Sequence, residues 1–339
     1  MKAMVWRNKT GLGIEEIPKP EAGPGRVLIK AAACGICGSD LFLYKNRVLT
    51  DGCILGHEIA GVVESVGEGV SGVAAGDRVL VRPCGCGQCK HCARGNENIC
   101  SQRRSIGFGA VPGGFADYLC VEPDQCLPVP PGLGLDQAAL TDQLSTGLHA
   151  LKLVRFEPGQ SALALGAGPI GLCVIIMLKH MGAAAIGVTE MLPERKALAE
   201  RFGAHAVFDP AQPKLNASLA QLFGPDGPDA LFECSGTAPA TQQAIAMAPR
   251  GASIALVGMC SASVSIIPMS LFQRQIAIIG SFGNTQAECI ECMDLMASGG
   301  IPSRELITKR IALDQVPAEF ELQLTSKTDI KVQTQMFEE

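Results

Sequence analysis

The sequence predicts an α/β protein that combines an irregular β-rich domain with a doubly wound, parallel, six-stranded sheet. Three observations support this fold class. The 339 residues are too many for one ordinary core. Up to about residue 130, short β-like runs are separated by glycine and proline. Between residues 146 and 284, apolar strands alternate with helical segments, as crossover connections in a parallel sheet require.

The β-rich part is predicted from its residue pattern. The runs RVLIKAA, GVVESVG, DRVLVRP and FADYLCVEP are rich in β-branched residues and end at turn formers. After about residue 285 the chain begins with a helix-like segment. It then continues as strand, helix and strand in ITKRIAL, VPAEFELQL and DIKVQTQM. We therefore expect one domain from residues 1–145 and 285–339, and a second from residues 146–284.

The parallel sheet is predicted from six apolar runs with helix-like segments between most of them. The predicted strands are residues 161–165, 185–190, 206–208, 230–234, 253–258 and 276–280. The first run continues into a helix, so residues 161–178 are almost wholly apolar over about the minimum length of a membrane span. Glycines and Pro169 interrupt that segment, which favours a buried strand, a tight turn and a buried helix.

Composition excludes several classes of protein. Hydrophobic residues make up 47% of the chain and charged residues 18%, which favours a globular fold over disorder. A net charge of −5 argues against partners such as nucleic acid or anionic lipid. The first residues, MKAMVWRNKTG, lack the apolar core of a signal peptide. We therefore expect a cytoplasmic protein whose fifteen cysteines stay reduced.

The turn after the first parallel strand reads GAGPIG and predicts a dinucleotide site. Gly166 permits the tight turn, Gly168 lets a pyrophosphate approach the backbone, and Gly171 lets the helix pack on the sheet. Pro169 and Ile170 open the helix, whose free N–H groups face the phosphates. The motif alone is weak, but here it follows a strand and heads six strand–helix alternations.

A carboxylate at the end of the second parallel strand bears on the choice of dinucleotide. Glu190 lies nineteen residues past Gly171 and is expected to accept both ribose hydroxyls and to repel a 2′-phosphate. This favours NAD over NADP. Arg195, five residues further on, would complicate that choice if it reached the ribose, and Glu190 could instead be a solvated acid at a strand end.

Five cysteines fall within residues 84–100, CGCGQCKHCARGNENIC. A disulfide knot is the weaker interpretation because the thiols are expected to be reduced. Four of the five follow the pattern C-x2-C-x2-C-x7-C, with glycine-bearing spacers that suit tetrahedral zinc, namely Cys86, Cys89, Cys92 and Cys100. An iron–sulfur cluster could also use such cysteines. A closed four-sulfur zinc site has no position for substrate, so its role would be structural.

A second group of polar residues lies upstream, in CGSD at residues 37–40 and GHE at residues 56–58. Cys37, His57 and Glu58 offer a thiolate, an imidazole and a carboxylate, which together suit an open zinc site. Each one alone has an ordinary explanation as a buried or surface residue. Their proximity in the sequence, ahead of a nucleotide-binding half, favours catalysis.

These motifs make the whole chain resemble the zinc-dependent medium-chain alcohol and polyol dehydrogenases. The residues that carry the resemblance are CGICGSD (34–40), GHEIAGVVESVGEGV (56–70), GDRV (76–79), the four-cysteine lobe, TDQLSTGLHAL (141–151) and GAGPIGL (166–172). The resemblance implies a GroES-like catalytic domain, a Rossmann NAD-binding domain, one catalytic and one structural zinc, and a homodimer or homotetramer. It also implies reversible oxidation of an alcohol to a ketone or aldehyde.

The resemblance also implies roles for residues of the zinc site. Cys37 and His57 match two catalytic zinc ligands, and Asp142 matches the third. Glu58 matches an acid that enters as a fourth ligand or stays just outside the metal's ligand shell. Asp40 matches the carboxylate that orients the histidine ligand, as an imidazole bound through one nitrogen needs an acceptor for the other N–H.

Further roles concern the proton and the cofactor. Ser39 matches the hydroxyl that takes the alcohol proton, and Thr146 a residue beside the nicotinamide ring. Lys331 is expected to meet the pyrophosphate, and Val257 is a further candidate for cofactor binding. One position departs from the family, because many members have a histidine relay residue where this chain has Phe42. Either the proton leaves from Ser39 through ribose and water, or another group such as Tyr44 takes part.

Two other functions compete with this prediction. One is a zinc-free reductase of the quinone or enone type, against which both ligand sets argue. The other is a non-catalytic, nucleotide-sensing protein that kept the fold. The sequence does not identify the substrate, since pocket walls come from scattered loops. The resemblance leaves secondary alcohols, diols, polyols and hydroxy amino acids open.

Overall fold

The computed structural model describes residues 1–109 and 111–336 of the chain, whose contacts divide it into two compact units. The first unit contains Met1–Asp142, Thr285–Gly299 and the chain from Ser303 onward. The second contains Gln143–Asn284 and Gly300–Pro302. Within the described ranges, no helix is both long and apolar enough to cross a membrane.

The second unit is built on a parallel sheet, which confirms the predicted fold class. Its strands, six in the described part of the chain, are β8 (Ser161–Leu165), β9 (Ala185–Thr189), β10 (Ala206–Phe208), β11 (Ala230–Glu233), β12 (Ser253–Leu256) and β13 (Ala277–Gly280). They lie in the order β10-β9-β8-β11-β12-β13, and every neighbouring pair is parallel. This is the doubly wound order in which the strand sequence reverses between the first and fourth strands.

Helices connect these strands, as the alternating pattern predicts. They are α4 (Pro169–His180), α5 (Pro193–Phe202), α6 (Leu215–Phe223), α7 (Ala238–Met247) and α8 (Pro268–Arg274), while α3 (Thr141–Leu153) precedes the first of these strands. The apolar run that could be mistaken for a membrane span divides into β8 and α4. A proline at the first position starts α4 without loss of a hydrogen bond, and Gly171–Leu178 are buried.

The first unit contains the β-rich fold that the glycine- and proline-punctuated runs predict. Its strands are β1 (Lys2–Arg7), β2 (Gly11–Glu16), β3 (Val27–Gly35), β4 (Glu58–Val66), β5 (Arg78–Val81), β6 (Tyr118–Val121), β7 (Cys126–Pro128), β14 (Ile307–Ile311) and β15 (Lys331–Gln335). In the residues that the structure covers, the larger sheet has the order β14-β15-β3-β4-β5-β7, with β6 also paired to β3. β1 and β2 form a separate antiparallel pair.

Four α-helices in the described part of this unit complete it, and the C-terminal segment is integral to it. The helices are α1 (Gly38–Asn46), α2 (Leu135–Ala138), α9 (Gln286–Ala297) and α10 (Val316–Thr325). Strand β15 pairs antiparallel with β3, so the last strand lies beside one of the first. Residues from both ends of the sequence therefore form one sheet and one core.

An aromatic chain links the termini within that core. The rings of Trp6 and Tyr44 lie 5.8 Å apart, those of Tyr44 and Phe320 5.7 Å, and those of Phe320 and Phe115 5.7 Å, all edge to face. Edge-to-face aromatic pairs are favourable beyond their buried area. Phe320, on α10, therefore attaches the C-terminal helix to the N-terminal strands.

We expect Phe320→Ala to destabilise the first unit by about 3–5 kcal/mol, since it empties a fully buried site. The fluorescence of Trp6, the chain's one tryptophan, should report this as a lower urea midpoint. Leu322→Ala is the control, because Leu322 lies on the same helix and is 45% exposed. Equal midpoints for the two variants would contradict the packing role of Phe320.

Candidate active site

The pairing of β3 with β4 brings the predicted zinc ligands together. Gly35, the last residue of β3, pairs with Glu58, the first residue of β4. Cys37 follows β3 and is the N-cap of α1, while His57 immediately precedes β4. As a result, donor atoms of Cys37, His57 and Glu58 all lie within 4.8 Å of one another. The site is thus formed where two antiparallel strands meet.

Gly56 is required for the chain to reach His57. Its φ is +97°, a conformation that favours glycine. A Cβ at this position would lie 2.6 Å from the sulfur of Cys34 and 2.9 Å from the ring of Phe115. The position is therefore restricted by both backbone and packing. In the sequence, Gly56 is the first residue of the family motif at residues 56–70.

Asp40 fixes the orientation of the His57 ring. One carboxylate oxygen lies 3.3 Å from His57 Nδ1, and the other accepts the Cys37 N–H at 3.0 Å. Asp40 is fully buried, so its charge acts strongly on the imidazole. Burial by itself lowers the pKa of His57, but Asp40 and Cys37 outweigh it and raise that pKa well above its usual value. With Nδ1 engaged by Asp40, Nε2 is the nitrogen left for a metal.

Ser39 lies beside the same imidazole. Its hydroxyl oxygen is 3.5 Å from His57 Nε2. Ser39 is in the first turn of α1, next to Asp40, so one helical turn carries both the hydroxyl and the orienting carboxylate. The structure therefore brings together Cys37, Ser39, Asp40, His57 and Glu58, as the sequence pattern predicts for a single site.

Lys331 forms a buried ion pair with Glu58. Its ammonium donates to both carboxylate oxygens of Glu58, at 2.8 and 2.7 Å, and to the carbonyl oxygen of Ile36 at 2.8 Å. All three N–H donors are thereby engaged, and the side chain is buried. The structure thus places Lys331 next to Glu58 in the first unit, and its contact with the pyrophosphate stays a prediction.

The structure groups Glu58, rather than Asp142, with Cys37 and His57. Asp142 is half-buried in the first turn of α3, and it lies close enough for its charge to act on Glu58. It is absent from the set of donor atoms within 4.8 Å of one another in the described residues. Its role as the third zinc ligand stays a prediction.

An aromatic residue that was not predicted from the sequence borders the site. The ring of Phe108 lies 4.6 Å from the imidazole of His57, and 38% of Phe108 is exposed. Phe42, one helical turn beyond Ser39, is 40% exposed. The available signal for Phe108 was an isolated aromatic residue in the glycine-rich segment SIGFG.

Tyr44 is the residue that the replacement of histidine by Phe42 suggested for the relay. Its hydroxyl donates to Glu321, and its ring packs between Trp6 and Phe320. Burial and Glu321 raise the pKa of Tyr44 to about 12. Tyr44 is partly buried against the core of the first unit, and its part in proton transfer stays a prediction.

The four-cysteine lobe has the dimensions of a tetrahedral zinc site. Sulfur atoms of Cys86, Cys89, Cys92 and Cys100 lie within 4.8 Å of one another. The Cys89–Cys92 and Cys89–Cys100 sulfur separations are 3.6 and 3.8 Å. Four sulfurs around zinc at about 2.3 Å would be about 3.8 Å apart, so this donor set fits the ion.

The protonation of these thiols also suits a metal. Backbone N–H groups of Gln88 and Cys89 lower the pKa of Cys86 to about 6. The N–H of Cys92 lowers the pKa of Cys89, while burial raises that of Cys92 to about 11. The thiolates of Cys86 and Cys89 are thus stabilised, whereas that of Cys92 is disfavoured. A cation at the centre of the cluster would be needed for all the thiols to be deprotonated together. Neither Cys84 nor His91 belongs to this donor set.

The dinucleotide motif occupies the expected turn between β8 and α4. Gly166 has a φ of +97°, and Gly168 is the N-cap of α4. A Cβ on Gly171 would lie 2.0 Å from the carbonyl oxygen of Gly166, which explains why this position is glycine. Pro169 and Ile170 are half-buried in the first turn of the helix. The turn lies where the strand order reverses, the usual place for a ligand in this fold.

Glu190 and Arg195 lie beside this turn. The Glu190 carboxylate accepts N–H groups from Ala167 at 2.8 Å, Met191 at 2.7 Å and Leu192 at 3.0 Å. Arg195 has a guanidinium nitrogen 3.5 Å from where a Cβ on Gly168 would be. Its Nε has no hydrogen-bond partner among the described residues. Both predicted residues therefore border the motif, and three backbone N–H groups hold the Glu190 carboxylate in place.

Thr146 and Val257 also belong to the second unit. The Thr146 hydroxyl lies 3.4 Å from the side-chain amide of Asn284. Val257 follows β12 directly, and its N–H donates to the carbonyl oxygen of Glu233 at 2.9 Å. Val257 is thus at the carboxyl end of the sheet, the edge at which parallel α/β folds bind ligands.

Comparisons with known proteins agree with this architecture. Residues 23–131 match the family model of the alcohol dehydrogenase GroES-like domain, and residues 169–298 match that of the zinc-binding dehydrogenases. Sorbitol dehydrogenase from Bacillus subtilis is 33% identical over 97% of this chain and 95% of its own length. The (R,R)-butanediol dehydrogenase from the same organism is 32% identical over 98% and 99%.

Solved structures give the same result. Alcohol dehydrogenase TADH from Thermus sp. ATN1 superimposes with a TM-score of 0.93 and is 29% identical, covering 99% of this chain and all of that one. A Sinorhizobium meliloti 1021 protein whose crystal structure contains NADP has a TM-score of 0.91 and 30% identity. Each covers 98% or more of both chains compared.

The fold and the two donor sets define a zinc-dependent, nicotinamide-linked oxidoreductase. The chain belongs to the zinc-dependent medium-chain alcohol and polyol dehydrogenase family. It is an enzyme that acts on CH–OH groups, and its cofactors are zinc and a nicotinamide dinucleotide. Neither the zinc-free reductase nor the non-catalytic alternative is favoured.

We expect Cys89→Ser to lower the zinc content from about two ions per chain to about one, because it removes a ligand from the closed site. It should also lower the thermal midpoint, because the binding free energy of a structural metal contributes to folding stability. Elemental analysis and a thermal melt measure these effects. Cys120→Ser is the control, because Cys120 lies on β6 outside both donor sets. Full zinc content in Cys89→Ser would contradict the assignment.

Proposed function

We propose that this enzyme interconverts an alcohol and its ketone or aldehyde with NAD, using a catalytic zinc held by Cys37, His57 and a carboxylate. The observation that carries the proposal is the convergence of a thiol, an imidazole and a carboxylate within 4.8 Å, next to the Ser39 hydroxyl. Glu58 is the acid whose donor atom groups with those of Cys37 and His57 among the described residues, and Asp142 is the candidate from the family resemblance.

The protein side chains have distinct tasks in this reaction. Zinc, when bound, supplies Lewis acidity that lowers the pKa of an alcohol. Ser39 receives the alcohol proton at its hydroxyl oxygen and passes its own proton onward. Asp40 holds His57 by Nδ1, so that Nε2 stays directed to the metal. Phe42 has no titratable group and the Tyr44 hydroxyl donates to Glu321, so a ribose hydroxyl of a bound cofactor and water would be the groups left to take the proton from Ser39.

The cofactor is NAD rather than NADP in this proposal. The support is Glu190, whose carboxylate is fixed by three N–H groups at the end of the second parallel strand. A negative charge held there repels a 2′-phosphate. The S. meliloti protein, whose structure contains NADP, is 30% identical, so the cofactor of a relative at that distance does not determine this chain's preference.

The substrate proposed is a secondary alcohol, diol or polyol. Relatives of similar length are named sorbitol dehydrogenase, (R,R)-butanediol dehydrogenase and L-threonine 3-dehydrogenase. Each name describes a compound with a secondary hydroxyl group. Phe42 and Phe108 add exposed apolar surface near Ser39 and His57, which suits an alkyl substituent beside the reacting carbon.

Turnover with a panel of secondary alcohols, diols, polyols and hydroxy amino acids tests the function. We expect NAD reduction with at least one class, and a higher kcat/KM with NAD than with NADP. Cys37→Ser and His57→Ala should each lower kcat by at least about 1,000-fold while NAD still binds, because they remove zinc ligands and leave the second unit unchanged.

The matched control for these variants is Cys34→Ser, since Cys34 is a neighbouring buried cysteine outside the donor set. It should retain zinc and turnover. Normal activity in Cys37→Ser or His57→Ala would refute the catalytic zinc. Bound zinc without turnover on the whole panel would favour the nucleotide-sensing alternative.

We also propose a cytoplasmic homo-oligomer, either a dimer or a tetramer. None of the fifteen cysteines, all of which lie in the described ranges, forms a disulfide, which suits a reducing compartment. Strand β13 has a neighbour on one side only among the described residues, and sheet extension would pair its other edge with a second copy. Exposed apolar side chains nearby, including Ile267 and Phe272, support an interface in this region.

Gly280→Pro tests this interface. The N–H groups of Ala277 and Ser281 face β12, so alternation along the strand directs that of Gly280 outward. Proline removes this donor, and there is room for its ring because no atom lies within 4 Å of a Cβ built there. We expect a smaller particle by light scattering, whereas Gly280→Ala keeps the native mass. A monomeric wild type would refute the proposal.

A further inference from the structure

The inference concerns a buried ion pair next to the proposed catalytic metal. Lys331 and Glu58 are 1% and 0% exposed. The ammonium donates to both carboxylate oxygens and, with its third N–H, to the carbonyl oxygen of Ile36, the residue before Cys37. One side chain from β15 thus holds both the acid of the metal site and the backbone that leads to its thiol ligand.

The surrounding backbone is shaped to admit this pair. A Cβ on Gly35 would lie 2.0 Å from a Glu58 carboxylate oxygen and 3.2 Å from Cδ of Lys331. Ile36 donates its N–H to the carbonyl oxygen of Val332 at 2.9 Å, which fixes β15 against the end of β3. The position of Lys331 is therefore set by the sheet. The space for the side chains of Lys331 and Glu58 depends on the absence of a side chain at Gly35.

The ammonium and a metal ion compete for the same carboxylate. A carboxylate has about four lone-pair positions, and Lys331 occupies two of them. In a buried site the positive charge of Lys331 also offsets the negative charge of Glu58, which weakens the attraction between this carboxylate and a metal ion. A catalytic zinc needs an open position for substrate, so an acid that binds too tightly would close the site.

We propose that Lys331 is a positioning residue that limits how strongly Glu58 binds the catalytic metal. This inference rests on the proposed function, because it presumes a metal at Cys37 and His57. A purely structural ion pair would affect stability but leave the metal's environment unchanged. The two roles therefore differ in a measurement on the metal itself.

The experiment uses protein loaded with cobalt in place of zinc. Visible absorption bands that disappear in Cys37→Ser belong to the catalytic site. In Lys331→Met, we expect these bands to shift, and cobalt to leave to a chelator about 10-fold more slowly, the size of effect that outer-shell substitutions have. With zinc, kcat should fall more than KM changes, because the open position is lost.

Three further variants separate positioning from structure. Lys331→Arg should keep the wild-type bands and release rate, since a guanidinium can pair with both oxygens. Glu58→Gln/Lys331→Met should match Glu58→Gln alone, because without the carboxylate the lysine has nothing to restrain. Lys309→Met is the matched control, because it breaks the Lys309–Glu319 ion pair on β14, the strand next to β15, and should leave the bands unchanged.

Each outcome decides the proposal. Trp6 fluorescence checks folding, and Lys331→Gln, which keeps a donor for Ile36, replaces Lys331→Met if the latter does not fold. Unchanged bands and release rate in a folded Lys331 variant, or faster release, would overturn this inference alone. The absence of any Cys37-dependent band would overturn the proposed function and this inference together.

Discussion

The active site depends on the antiparallel pairing of β3 with β4. Because Gly35 pairs with Glu58, the residues that follow one strand lie beside those that precede the other, and Cys37 meets His57. The pairing tolerates little change. Gly56 must take a positive φ, and a Cβ on Gly61 would lie 2.3 Å from the carbonyl oxygen of Lys30. A metal site of this kind is therefore as well ordered as the sheet that carries it.

Two buried acid–base pairs lie at this junction between β3 and β4. Asp40 pairs with His57, and Glu58 pairs with Lys331, in a part of the protein where an unpaired charge would be strongly unfavourable. Each pair leaves its members fixed in position and partly neutralised. The first engages Nδ1 of the imidazole and leaves Nε2 for a metal, and the second engages both carboxylate oxygens of Glu58. Buried polar groups here serve chemistry at some cost in stability.

The local parts of the fold were predictable. The six parallel strands, the glycine turn at residues 166–171 and the four-cysteine lobe all have signals within a few residues of each other, since periodicity, turn chemistry and ligand spacing act over short distances. The contacts of Lys331 and Tyr44 were not predictable from the sequence. Lys331 contacts Glu58 across 273 residues, and Tyr44 contacts Glu321 across 277.

The sequence by itself determined the fold class, the nucleotide-binding turn and the chemistry of the two donor sets. Only the tertiary structure decided that Lys331 restrains Glu58, that Phe108 covers the His57 ring, and that Glu58 lies nearer than Asp142 to the two other donors. The physical reason is that a residue type fixes what a group can do, whereas the sheet register and the packing of distant strands fix which group it meets.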